Sequence, residues 1–174
     1  MRGFFTIIFR LMGWKVNREL PDLNKCIIIV APHTSSWDFV IGVIVRGVLA
    51  REINYLGKKS LFKPPFGWFF RWMGGYPVDR KTSQNMVDQV AEIFRKEEVF
   101  RLALAPEGTR SRVEEWRTGF YHMAVRAHVP IVSVGFDYAK KRVVIFDPFY
   151  PSGEIDKDLP QIKALFKDIK GKNS

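Results

Sequence analysis

Residues 25–31 read Lys-Cys-Ile-Ile-Ile-Val-Ala and run straight into Pro32. Four successive β-branched side chains leave no polar face, and the run is too short for a buried helix, so it predicts a strand covered on both sides. Such a strand requires helical layers above and below it. Apolar periodicity supplies them, predicting helices over residues 36–50, 82–98, 119–127 and 159–169 and further strands over 53–57, 100–105, 131–136 and 142–146. The expected fold class is α/β, a single domain with a mostly parallel or mixed sheet covered by helices. A chain of 174 residues fits one such unit, residues 1–174. No repeat or long linker interrupts it, and only the polar stretch 170–174 is expected to be disordered.

Residues 1–17 are expected to form an amphipathic helix with a broad apolar face. Arg10 cuts the apolar run well short of the ~20 residues a membrane span needs, and no small-residue cleavage site follows. The helix suits docking on the core or lying in a membrane interface. The formal charge of +10 is asymmetric, with 13 basic and 5 acidic side chains in residues 1–87 against 15 and 13 in residues 88–174. A basic N-terminal half fits an anionic partner: nucleic acid, anionic lipid or a phosphorylated substrate. Between residues 58 and 73, Lys58, Lys59, Lys63 and Arg71 interleave with Phe62, Phe66, Trp68, Phe69, Phe70 and Trp72. Mixed rings and cations favour the headgroup region of a bilayer, although about half of these rings are expected inside the core. Phe4, Trp14, Lys63, Trp68 and Trp72 are the expected membrane contacts. The single cysteine, Cys26, allows no intrachain disulfide and no cysteine-based zinc site, which fits a reducing compartment.

Polar residues collect where strands are expected to end. His33 and Asp38 follow the first strand, Glu107-Gly-Thr-Arg110 follows residues 100–105, and Arg80 follows a short extended segment. Loops beyond the carboxyl ends of strands form the ligand crevice of open α/β sheets. A histidine followed by a carboxylate at such an exit is a candidate general base with its orienter. Ser35-Ser-Trp-Asp38 also fits a helix capping box, and one carboxylate can serve both purposes.

His33-X4-Asp38, the segment of Arg80, Glu107-Gly-Thr-Arg110 and Val129-Pro-Ile-Val132 together resemble the four ordered motifs of the glycerolipid acyltransferases, a family that includes the 1-acyl-glycerol-3-phosphate acyltransferases. The resemblance spans residues 33–132. It implies transfer of a fatty acyl group from acyl-CoA or acyl carrier protein to a lysophospholipid hydroxyl, with 1-acyl-sn-glycerol-3-phosphate the expected acceptor and phosphatidic acid the product. His33 would be the catalytic base and Asp38 its orienter, with the acceptor hydroxyl attacking directly and no acyl-enzyme formed. Arg80, Glu107, Gly108, Thr109 and Arg110 would bind the acceptor, the two guanidinium groups meeting its phosphate. Glu107 would hydrogen-bond the acceptor hydroxyl or fix Arg110. No role is assigned to Pro130, and no phosphate contact to Arg117. The mechanism requires no metal and no cofactor beyond the acyl donor.

Other readings are a lyso-aminolipid acceptor, a non-catalytic lipid binder, a thioesterase or lipid hydrolase, and a nucleic-acid-binding module. The chain contains no Gly-X-Ser-X-Gly elbow. It carries no nucleic-acid-binding signature, and the acidic residues of its polar clusters would repel a phosphate backbone. The expected setting is the cytoplasmic face of a membrane, peripherally bound to anionic lipid.

Overall fold

The structure, a computed structural model, describes residues 2–78, 83–109 and 115–173. The elements in chain order are α1 (Arg2–Leu11), β1 (Lys15–Val16), β2 (Lys25–Ala31), α2 (Trp37–Leu49), β3 (Asn54–Lys58), α3 (Gly67–Trp72), β4 (Gly75–Val78), α4 (Ser83–Lys96), β5 (Phe100–Leu104), α5 (Gly119–Ala127), β6 (Ile131–Asp137), β7 (Arg142–Phe149) and α6 (Ile155–Ala164), with a 3-10 turn at Lys59–Phe62. The strands form one sheet in the order β1-β7-β6-β2-β5-β3-β4. From β6 through β4 every neighbouring pair is parallel. β7 returns antiparallel to β6, and β1 pairs parallel to β7. The sheet is therefore mixed, as its sequence pattern predicts.

β2 sits inside the sheet between β5 and β6. Its side chains alternate between two cores. Ile27, Ile29 and Ala31 join Val90 and Phe94 of α4, Phe120 and Met123 of α5 and Ile162 of α6 on one face. Cys26 and Ile28 face the other, with Phe9 of α1, Ile41 and Val45 of α2, and Val132, Val134 and Phe136 of β6. Burial raises the Cys26 thiol to about 12, the nearby Arg101 partly opposing it, so it behaves as a small apolar side chain.

Three expectations require correction. The first helix ends at Leu11 instead of reaching residue 17. Trp14 is 5% exposed, its ring packed on Phe9 and edge-on to Tyr138, and Lys15–Val16 leaves as a strand on β7. Burying an indole and gaining strand pairing outweigh one more helical turn. The last helix begins at Ile155, ahead of Pro160, because buried Asp158 in its first turn takes hydrogen bonds from Tyr121 and Ser152. Residues 170–173 are held against the fold: the Tyr138 amide donates to the Lys170 carbonyl, and Asn173 donates through its side-chain and backbone nitrogens to the carbonyl and Oγ1 of Thr34. Gly171 lies so close to Thr34 that a Cβ would come within 2.6 Å of its Oγ1.

Phe100 is fully buried, its ring edge-on to Tyr76 and Phe94. Phe100→Ala is expected to cost ~3–5 kcal/mol of stability through lost burial and a residual cavity. Urea unfolding followed by far-UV circular dichroism checks this, and a cost below ~1 kcal/mol would contradict the packing described.

Candidate active site

Parallel alignment of β2, β3, β4, β5 and β6 puts their carboxyl ends along one edge of the sheet. The loop after β2 carries His33 and leads into α2, whose first turn contains Asp38. The loop after β5 carries Glu107, Gly108 and Thr109, and β6 delivers Tyr138. Arg80 and Arg110 lie outside the described residues.

His33 Nδ1 is 2.9 Å from Asp38 Oδ2, and the Asp38 side chain is only 2% exposed. A buried carboxylate needs donors on both oxygens. Oδ2 also accepts the Ser35 backbone N–H at 3.0 Å, and Oδ1 accepts the Tyr138 hydroxyl at 2.6 Å. Asp38 therefore caps the start of α2 and orients the imidazole together. Burial pushes its carboxyl up, but the hydrogen bonds from His33, Tyr138 and Ser35, with the His33 charge, outweigh this and hold it below the usual range. With Nδ1–H directed at Asp38, Nε2 is the nitrogen left to take a proton.

Glu107 makes a contact that its sequence context does not suggest. Its Oε2 accepts the backbone N–H of His33 at 2.6 Å, bracing the loop after β2 from the loop after β5. Burial raises its carboxyl, partly offset by the His33 contacts, with Asp38 adding to the rise. Gly108 takes a φ of +64°, and a Cβ there would meet the Arg117 side chain.

His33 lines two clefts. One, of about 730 Å³, is bounded by Gly108, Thr109, Arg117, Met86 and Phe120. The other, of about 340 Å³, runs between α2 and the sheet past Val30, Phe39, Gly42, Val43 and Ile53 and is chiefly apolar. Arg117 thus reaches the first cleft although its Arg-Thr-Gly context gave it no role. Nothing in the sequence marks Tyr138, which lies a hundred residues from its partner Asp38. Of the expected membrane contacts, Phe4, Trp68 and Trp72 are 65%, 69% and 72% exposed, Lys63 is exposed, and Trp14 is buried. Phe62 belongs to the core and Phe70 is half-buried, whereas Phe66 and Phe69 are exposed.

Residues 15–137 match the family model described as Acyltransferase. The chain belongs to this acyltransferase family. It is 28% identical over 187 aligned residues to the 1-acyl-sn-glycerol-3-phosphate acyltransferase of Haemophilus influenzae, covering 95% of this chain and 77% of that relative. The Escherichia coli protein of the same name is 32% identical over 134 residues, 71% of this chain and 53% of the relative. The chain thus spans about half the length of this second relative. The crystal structure of the 1-acyl-sn-glycerophosphate (LPA) acyltransferase PlsC from Thermotoga maritima superposes with a TM-score of 0.63 at 17% identity, over 95% of this chain and 75% of that one. The acyltransferase fold is therefore shared across nearly the whole described chain.

The depressed Asp38 pKa fixes the sign of its pH dependence. Stability from the ionised carboxylate is fully present above the unfolded value of ~3.9 and is lost as the pH falls through the lower folded value. The stability gap between wild type and Asp38→Asn in urea is expected to shrink as the pH falls below about 4. A gap unchanged in acid would show that Asp38 is not held as the ionised acceptor.

Proposed function

We propose that this acyltransferase moves a fatty acyl group from a thioester donor, acyl-CoA or acyl carrier protein, to the free hydroxyl of 1-acyl-sn-glycerol-3-phosphate, giving phosphatidic acid. The observation that carries the reading is an imidazole bonded through Nδ1 to a buried carboxylate, with two clefts meeting at it, one chiefly apolar and one that adds Thr109 and Arg117 to its apolar walls. An alcohol is a weak nucleophile at neutral pH, and a positioned base removes that difficulty. His33 Nε2 takes the hydroxyl proton as the oxygen attacks the thioester carbonyl. The C–S bond breaks as the tetrahedral centre collapses, and the imidazolium returns the proton to the leaving thiolate. Asp38 stabilises the imidazolium and is not itself protonated. The narrower apolar cleft suits an acyl chain, and the larger cleft, where Thr109 and Arg117 stand, suits the glycerol phosphate, with Arg117 near its anion. Arg80 and Arg110 are retained as phosphate ligands on the family resemblance, with Glu107, Gly108 and Thr109 beside them. The reaction as written needs no metal or further cofactor.

Lipid substrates require access from a membrane. Among the described residues no helix is long and apolar enough to cross one. Phe4 and Ile7 on α1, Phe39 and Val43 on α2, and Trp68 and Trp72 on α3 are large exposed apolar side chains. Phe39 and Val43 also line the apolar cleft, which supports entry of an acyl chain directly from lipid. With Lys63 and the basic surplus, this surface supports peripheral binding to anionic lipid. A lone buried thiol fits the cytoplasmic face.

Thiol release from acyl-CoA and acyl carrier protein, with and without 1-acyl-sn-glycerol-3-phosphate and with product mass determined, tests the activity. Acceptor-dependent release is expected, falling by ~10²–10⁴ in His33→Ala. Release that ignores the acceptor would instead make the protein a thioesterase. For the membrane, cosedimentation with vesicles containing phosphatidylglycerol is expected to weaken at least tenfold when Trp68 and Trp72 both become Ala, about 1.4 kcal/mol in total. Undiminished binding would remove α3 from the interface.

A further inference from the structure

We propose that Tyr138 is a positioning residue for the reaction, holding the Asp38 carboxylate in the one orientation that presents Oδ2 to His33. The inference rests on the transferase reading above, in which the imidazole is the base. A carboxylate turns freely about its Cβ–Cγ bond unless both oxygens are engaged. Here Oδ2 meets His33 Nδ1 and the Ser35 amide, while Oδ1 meets the Tyr138 hydroxyl at 2.6 Å. Of these three donors, Tyr138 alone comes from outside the His33–Asp38 loop.

The phenol is itself tightly placed. Its backbone N–H donates to the Lys170 carbonyl at 2.9 Å, and its ring stands edge-on to buried Trp14 with centroids 4.9 Å apart. Tyr138 follows directly on β6, which pairs with β2 up to the Gly135–Ala31 register position, so the turn that carries the donor and the loop that leads to the acceptor leave neighbouring strand ends. The Trp14 ring and the Lys170 carbonyl therefore hold the turn residue that presents the hydroxyl to Asp38, as positioning a reacting group to within a fraction of an ångström requires. Burial first, then the adjacent carboxylate, keep the phenol protonated far above neutral pH, so it remains a donor wherever the enzyme works. A water molecule could satisfy Oδ1, but it would not fix the carboxylate plane.

Tyr138→Phe removes only the hydroxyl and leaves the ring on Trp14. The expected result is a kcat at least tenfold lower with KM for donor and acceptor within twofold. Tyr121→Phe is the control, since Tyr121 donates to the buried Asp158 at 2.7 Å in the same way but away from His33. It is expected to lose stability and keep kcat. A second readout needs no turnover: the proton nuclear magnetic resonance signal of His33 Nδ1–H, assigned among three histidines by its loss in His33→Gln. That signal is expected in wild type and in Tyr121→Phe and to broaden beyond detection in Tyr138→Phe. Unchanged kcat, or an unchanged Nδ1–H resonance in Tyr138→Phe, overturns the proposal. Should wild type transfer no acyl group, the transferase reading fails by itself, and the resonance still decides whether Tyr138 orders the dyad.

Discussion

A carboxylate removed from water must find donors for both oxygens, and in this protein that demand is met by the loop after β2 and by Tyr138 at the end of β6. Asp38 receives the His33 imidazole, the Ser35 amide and the Tyr138 hydroxyl. Without those donors its burial would favour the protonated acid, and the imidazole would lose the anion that orients it. The start of α2, the His33 loop and the exit of β6 are therefore fixed by one charge. Parallel pairing of β2 with β6 keeps those parts adjacent.

Glu107 extends the same logic across β5. Its hydrogen bond to the His33 amide ties the second polar loop to the first, so neither can shift without the other. Asp38 and Glu107 differ in a telling way. Three donors hold the Asp38 carboxyl down, whereas burial raises that of Glu107, whose single backbone donor offsets it only in part. Two buried carboxylates on one histidine residue thus contribute to stability with opposite dependence on pH.

The sheet's inner strands and the flanking helices follow from patterns long enough to show a period, such as Ile27 to Val30 or Val90 and Phe94 on α4. The 3-10 turn and α3 between residues 59 and 72 are too short for periodicity to reveal, and their aromatic residues divide between core and surface only once the chain is packed. His33, Asp38 and Glu107 could be found because each sits just beyond an apolar run. Tyr138 could not, since it occupies an ordinary turn after β6 and meets a partner, Asp38, that is distant in the chain. Trp14 misled for the opposite reason: its composition suits a membrane interface, but pairing of Lys15–Val16 with β7 carries it into the core.

Residues 170–173 lie across the His33 loop, with Gly171 against Thr34 and Lys172 Nζ 4.6 Å from the centre of the Trp37 ring. During synthesis on the ribosome, residues 33–38 emerge more than a hundred residues before this segment does. The nascent chain therefore carries His33 and Asp38 long before this segment can reach them. Its exposed aromatic surface on α1 and α3 is complete much earlier, by residue 72. The exposed rings of α1 and α3 are thus made well before the segment that closes over the His33 loop, so the order of synthesis separates that surface from the completed site.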